Sequence, residues 1–263
     1  EDSWLAVSPV FAVADGMGGH LGGAQASSRA VITLQEFLSP GRLGNRPVDL
    51  VDLSVAIDAA ATSVAALAPA DNPMSAPGTT LSGLMVLRTT EGPYWLSFNV
   101  GDSRAYVVGG GGIRQLTHDH SALQEARDLA ATSGAPRVIP PANVVTKALG
   151  AGQSGSVKAD YTIMPLEEGD RAVICTDGVH GVLQDAQIHA IVAAGDGPQG
   201  SADALVQASL ETGTRDNTTA VVVYAGTESR VTLTTNVLNR MIQPVRPASI
   251  QTARRVPRRE GSN

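Results

Sequence analysis

"TLSGLMVLRTTEGPYWLSFNVGDSRAYVV", residues 80–108, holds three apolar or alternating runs, at 80–88, 94–100 and 104–108. Turn residues separate them: Glu-Gly-Pro at 91–93 and, just beyond the quoted stretch, four glycines at 109–112 read as hairpin connections. The stretch therefore predicts an antiparallel meander rather than a string of βαβ units.

Upstream, residues 10–14 read as a buried strand. Residues 21–38 predict a helix, with Ala24, Ser27, Ala30, Val31, Leu34 and Leu38 near one face, and 49–67 predict a second through Leu50, Leu53, Ile57, Ala60, Val64 and Leu67. The Gly- and Pro-rich residues 40–48 between them read as a loop. Downstream come a short helix at 119–133 and an irregular segment at 134–143 with three prolines, expected to be a mobile flap. Strands follow near 157–164 and 171–176, helices near 184–194 and 201–212, and a last strand at 219–225. Helices thus come in pairs between runs of antiparallel strands, and two packed sheets with helices outside bury both. From about residue 227 the pattern decays. Residues 1–226 are read as one domain, and the Pro/Arg-rich residues 227–263 as a basic tail, either a linker or a lead toward a membrane segment or acidic partner outside the chain.

The 263 residues are 43% hydrophobic but only 3% aromatic, so Val, Leu, Ile and Ala must fill the core. A single cysteine, Cys175, excludes a disulfide framework and a cysteine-based zinc cluster, and agrees with a reducing compartment. No apolar run reaches the ~20 residues of a membrane span, and no signal peptide is visible, so the expectation is a soluble, intracellular chain. The net charge of −6 is uneven: the tail carries +5, which leaves −11 on residues 1–226. An acidic body argues against nucleic-acid binding and suits a protein that gathers carboxylates around cations.

Those carboxylates stand at strand boundaries. "FAVADGMGGH" (11–20) ends an apolar run in Asp15-Gly16, and "RAVICTDGVHG" (171–181) ends another in Asp177-Gly178. Asp216 precedes the last strand, Asp102 lies in the turn of "NVGDSRAYVV", and Glu1 and Asp2 precede "SWLAV". A tight turn explains one Asp-Gly step by itself. Three or more unpaired carboxylates meeting at one end of a sandwich would instead repel each other unless cations neutralised them. Oxygen ligands without a Cys or His cluster select Mg²⁺ or Mn²⁺ over zinc. Two such ions ~3.5–4 Å apart activate a water and draw charge from a phosphoryl oxygen, which implies direct attack of metal-bound hydroxide on a phosphate ester. Cys175 is a poor rival nucleophile: position 181 is Gly where a thiolate phosphatase needs Arg, and the thiol lies inside an apolar strand. "GTTLSG" (78–83) is too short for a P-loop and lacks its Lys.

With these residues in view, the sequence resembles the metal-dependent serine/threonine protein phosphatases of type 2C, the PPM family, and above all their bacterial members. The matching motifs are "ED" (1–2), "VADGMGGH" (13–20), "GTTL" (78–81), "NVGDSRAY" (99–106), "LTHDHS" (116–121), "VVTKALG" (144–150), "CTDGV" (175–179) and "DNTTAVVV" (216–223). The resemblance implies an α+β fold, a four-layer α-β-β-α sandwich of two antiparallel sheets flanked by helices, with a binuclear Mn²⁺ or Mg²⁺ centre at one end. Asp15 would bridge both ions, the Gly16 carbonyl and Glu1 would bind one, and Asp177 and Asp216 the other. Asp119 matches a residue that holds a third, weaker ion together with Asp177, and a plainer role for it is the N-cap of the following helix. Asp2 would support the site through bound water. Thr79 and Thr80 fit a strand start, Asp102 and Arg104 a pair within a turn, and Asn217 the loop that carries Asp216.

The sequence departs from the family at three places. Met17 stands where eukaryotic relatives place a candidate acid, His, and neither His20 nor His180 is an obvious replacement. "TDGVHG" and the Pro-rich flap differ from the usual pattern. A first strand and a phosphate-binding Arg, four residues ahead of Glu1, are expected upstream of residue 1. The implied function is Mg²⁺/Mn²⁺-dependent hydrolysis of phosphoserine and phosphothreonine in proteins that a Ser/Thr kinase has phosphorylated. The alternative is a pseudophosphatase or regulatory module without turnover, against which the intact Asp15, Asp177 and Asp216 argue. A cytoplasmic monomer is expected, or the cytoplasmic domain of a membrane-attached protein.

Overall fold

The computed structural model describes residues 1–18, 20–44, 46–72, 75–133, 139–141, 143–152, 157–226 and 250–252. The chain runs β1 (Ser3–Val7), β2 (Val10–Ala14), β3 (Gly16–Met17), α1 (His20–Phe37), α2 (Pro40–Leu43), α3 (Leu50–Ala65), β4 (Gly78–Thr79), β5 (Leu81–Thr89), β6 (Gly92–Val100) and β7 (Arg104–Gly109). It continues with β8 (Gly112–Gln115), α4 (Ala122–Ser133), β9 (Leu149–Gly150), β10 (Asp160–Pro165), β11 (Arg171–Cys175), α5 (Asp177–His180), α6 (Asp185–Ala194), α7 (Pro198–Thr212), β12 (Ala220–Tyr224) and β13 (Ile250–Thr252).

The strands form a six-stranded sheet in the order β1-β2-β5-β6-β10-β13 and a four-stranded sheet in the order β12-β11-β7-β8. A small third sheet, β3-β4-β9, joins Gly16–Met17 to Gly78–Thr79 and Leu149–Gly150. All pairs are antiparallel except β13, which lies parallel to β10.

Three separate apolar clusters make the layers. Val10, Ala12 and Ala14 of β2, Met85 and Leu87 of β5, and Leu96 and Phe98 of β6 pack against Leu34 of α1 and Leu53, Ile57 and Val64 of α3. The alternate residues, Val13, Leu84 and Trp95, meet Ala105, Val107, Ala172 and Ile174 between the two sheets. Tyr106, Val108, Val173 and Cys175 then face Val179, Ile188, Val192 and Leu205 of the α5–α7 layer. Strands buried on both faces read as near-continuous apolar runs, which is why the alternation is weak in "LSGLMVL" and "RAVIC". This is the expected α-β-β-α sandwich.

Several details differ from the sequence reading. The predicted meander breaks after β6: Gly101–Ser103 carries the chain from the six-stranded sheet to the four-stranded one, so β5–β6 and β7–β8 are hairpins of different sheets. Residues 3–7 form an edge strand, with Trp4 and Val7 exposed, and Pro40–Leu43 makes one helical turn inside the predicted loop. Helix α4 begins at Ala122 because Ser121 Oγ accepts from the Gln124 N–H at 3.2 Å, so Asp119 is not its cap. Residues 134–138 and 142 of the expected flap lie outside the described residues, as does most of the tail. The exception in the tail is Ile250–Thr252, a strand where decay was expected. Among the described residues no helix is long and apolar enough to cross a membrane.

Candidate metal centre

Asp15 follows β2 directly, and its main chain is held on both sides by the "GTT" segment. The Asp15 N–H donates to Thr80 Oγ1, and Thr79 Oγ1 and the Thr80 N–H both donate to the Asp15 carbonyl, each at 2.9 Å. The two threonines therefore do more than start a strand: they fix the backbone of the proposed bridging carboxylate.

Asp177 sits where β11 turns into α5, and Asp2 comes from the other end of the chain. Thr176 Oγ1 and Thr219 Oγ1 both donate to Asp2 Oδ2, at 2.9 and 2.8 Å, and the Thr219 N–H donates to Thr176 Oγ1 at 3.1 Å. This ties the start of the chain to the β11 and β12 ends that carry Asp177 and Asp216. Asp2 Oδ1 and Asp177 Oδ1 are buried without a hydrogen-bond partner. The exposed Asp216 accepts from the N–H of Asn217 at 2.8 Å, and Asn217 Oδ1 accepts from the Glu1 nitrogen.

Glycine follows Asp15 and Asp177 because other backbone comes close, not because the turn demands a left-handed conformation. A Cβ on Gly16 would lie 2.1 Å from the Gly23 carbonyl oxygen, and one on Gly178 would lie 2.0 Å from that of Asn217. Across from Gly16, a Cβ on Gly23 would lie 2.0 Å from Glu1 Oε2 and 2.8 Å from the Gly16 carbonyl oxygen. Bare backbone at Gly23 thus lets the Glu1 carboxylate and the Gly16 carbonyl approach the same side of helix α1.

The electrostatics point to the same need. Burial, then the neighbouring Asp2, Asp177 and Asp216, pushes the Asp15 carboxyl up to about 9, and it shares a hydrogen bond with Asp177. Burial also raises Asp177, helped by Asp216, and raises Asp2 despite its two threonine donors. Without cations one proton must sit inside this group at neutral pH. No three His, Cys, Asp or Glu side chains among the described residues stand close enough together to be a closed metal cage. The donor set is nonetheless right for hard ions: several carboxylates, one free carbonyl, and buried oxygens left without donors.

Two other acidic residues lie deeper. Asp119 already has partners in this structure. Arg104 Nε donates to both its oxygens at 3.0 Å, Arg104 Nη2 to Oδ2 at 2.7 Å, and Gln115 Nε2 to Oδ1 at 2.9 Å. Arg104 thus pairs with Asp119, while its charge also acts on Asp102. Asp102 is buried, and burial followed by the Asp177 and Asp119 charges lifts its carboxyl to about 7. It joins the acidic group, a role the sequence reading assigned to a turn; its place at a strand boundary was the available signal.

The remaining candidates are settled by burial. The Cys175 thiol is fully buried and pushed up to about 12, which leaves no thiolate for chemistry. Burial holds His180 neutral, down to about 4, with Nε2 lacking a partner. The side chain of His20 lies outside the described residues.

A protein phosphatase 2C profile matches residues 2–213. The serine/threonine phosphatase stp of Listeria innocua is 28% identical over 218 residues, 82% of this chain and 84% of that protein. The Mycobacterium tuberculosis serine/threonine phosphatase PstP superposes with a TM-score of 0.71 at 27% identity, covering 86% of this chain and 92% of that one. A PstP catalytic domain in complex with two manganese ions superposes at 0.69 with 28% identity, covering 84% and 89%. With the motif order, the four layers and the acidic end of the sandwich all in agreement, the chain belongs to the protein phosphatase 2C family of metal-dependent serine/threonine phosphatases.

Proposed function

We propose that the chain removes phosphate from phosphoserine and phosphothreonine in proteins, using Mn²⁺ or Mg²⁺ held by Asp15, Asp177, Asp216, Glu1 and the Gly16 carbonyl. The observation that carries this reading is the pair of buried, partnerless oxygens on Asp2 and Asp177 beside an Asp15 carboxyl that keeps its proton until about pH 9. Such a group costs stability unless cations replace the proton. The manganese ions of the related PstP catalytic domain support the choice of metal.

When bound, the two ions supply an activated water at neutral pH and positive charge toward the phosphoryl oxygens. The chain's own residues do the rest. Asp15, whose backbone is clamped by Thr79 and Thr80, would hold both ions, with Glu1 and the Gly16 carbonyl as further ligands of one and Asp177 and Asp216 of the other. Asp2, oriented by Thr176 and Thr219, keeps a buried Oδ1 without a donor, which would accept a hydrogen bond from a water held by the ions. Cys175, buried and protonated, takes no part as a nucleophile. Asp119 can take a third ion beside Asp177 only when Arg104 and Gln115 release it.

The substrates in this reading are phosphoproteins produced by a Ser/Thr kinase, and the acidic body disfavours nucleic acid. Residues 1–226 are the catalytic domain and 227–263 a basic linker. The chain acts as a monomer in the cytoplasm, or as the cytoplasmic domain of a membrane-attached protein.

Asp177→Asn tests the site. It keeps the side-chain volume and removes a ligand charge, so Mn²⁺-dependent hydrolysis of p-nitrophenyl phosphate and of a phosphothreonine peptide should fall by two or more orders of magnitude, roughly the loss of one strong electrostatic contact. The circular dichroism spectrum should not change. Near-parental turnover in this variant would show that the ions sit elsewhere.

A further inference from the structure

The Gly101–Asp102 turn is where the chain crosses between sheets, and it adjoins the Thr80 hydroxyl that holds Asp15. Asp102 is buried, and the charges of Asp177 and Asp119 act on its carboxyl. One residue on, Ser103 Oγ lies 2.8 Å from Thr80 Oγ1, the same hydroxyl that accepts from the Asp15 N–H. Gly101 itself has a φ of 111°, and a Cβ there would lie 2.5 Å from Thr80 Cγ2, so the turn admits no other residue without strain.

This turn is pinned from two directions. Its carbonyl accepts from Asn99 Nδ2 at 3.0 Å and from the His120 N–H at 2.9 Å. Its amide donates at 3.0 Å to the ring nitrogen Nδ1 of His120. With Nδ1 accepting, the ring proton sits on Nε2, which donates to Asp160 Oδ2 at 3.0 Å. Lys147 Nζ donates to the other Asp160 oxygen at 3.1 Å and lies 3.5 Å from Nε2. The ring is thus held at both nitrogens, with Asp160 and Lys147 on its far side.

We propose that His120 is a positioning residue for the phosphatase reaction: its Nδ1 fixes the Gly101–Asp102 turn, and through it the placement of Asp102 and of the Thr80–Asp15 clamp. The proposal rests on the reading of Asp15 and Asp177 as the metal-bearing residues. The effect belongs to the Nδ1 acceptor, while the Asp160–Lys147 pair only orients the ring. Residues one shell removed from metal ligands commonly change activity ~10–100-fold when lost.

Two isosteric variants separate the two ring nitrogens. His120→Asn places an amide oxygen where Nδ1 stands and keeps the acceptor for Gly101 but loses Asp160. His120→Gln places an amide nitrogen where Nε2 stands, keeping Asp160 but losing the acceptor. With p-nitrophenyl phosphate and saturating Mn²⁺, the Gln variant should lose about tenfold or more in kcat with little change in KM, and the Asn variant should stay within about threefold of the parental kcat. Gly101 amide hydrogen exchange should be protected in the parental and Asn proteins and accelerated in the Gln protein, with Tm similar in the two variants. Equal losses in both variants, or loss in neither, would overturn the proposal. A parental protein without Mn²⁺-dependent turnover would overturn the metal-site reading instead, and unprotected Gly101 exchange in the parental protein would then also overturn the clamp.

Discussion

At the scale of single residues, the site is a case of glycine chosen for space rather than for turn geometry. Asp177-Gly178 reads in sequence as a tight turn, yet Gly178 opens a helix and lies against the Asn217 carbonyl. Gly178→Ala would force its Cβ into that oxygen, at a cost of about 1–3 kcal/mol, and displace the loop that carries Asp216. The expected outcome is a loss of tenfold or more in kcat/KM and a weaker Mn²⁺ dependence curve, since small misplacements of reacting groups cost ~10²-fold. Parental kinetics would mean that the two loops need not approach. Cys175→Ser gives the opposite expectation. The thiol takes no part in the reaction, so turnover and its insensitivity to iodoacetamide should persist, with a modest drop in Tm for a hydroxyl placed among Val173, Val179 and Leu205. A labelled phosphoenzyme trapped from the parental protein would contradict this.

At the scale of elements, the helix signals were legible and their caps partly so. Helix α3 starts at a reciprocal capping box: the Asp52 N–H donates to Asp49 Oδ1 at 2.9 Å and the Asp49 N–H to Asp52 Oδ2 at 3.0 Å. Asp49→Ala removes half of it and should lower stability by about 1 kcal/mol, read as a reduced urea midpoint with an unchanged m-value. An unchanged midpoint would mean that Asp52 and its Arg46 partner hold the helix start alone. The strands were harder to assign to sheets. The "GDSR" turn looks like any hairpin connection, but the chain changes sheets there. Period-two patterning cannot show this, because β6 and β7 are buried on both faces over most of their length. Just past the same crossover, Arg104 pairs with Asp119.

For the whole molecule, the acidic end couples metal, proton and stability. Asp15 keeps its proton in the folded state up to about pH 9, whereas an unfolded aspartate loses it near 4. The folded metal-free protein thus binds more protons between those values, and its stability falls as pH rises through that window. In EDTA, Tm should decline from pH 5 to pH 9. Added Mn²⁺ should raise Tm more at pH 8 than at pH 6, because at lower pH the ion must first displace a proton. A chelated protein whose Tm rises over that range would show that the carboxylates do not meet. What the sequence by itself determined is local and periodic: the paired helices, the apolar runs, the motif order and the carboxylates Asp15, Asp177 and Asp216 at strand boundaries. These follow from side-chain spacing and residue chemistry, which each segment carries alone. Tertiary structure alone decided which strand ends meet. It brought Asp2 to Thr176 and Thr219 across the length of the domain, withdrew Asp119 onto Arg104, and added Asp102 and His120 to the site's surroundings. Those placements depend on sheet order and on close backbone approach between distant segments, which no local pattern encodes.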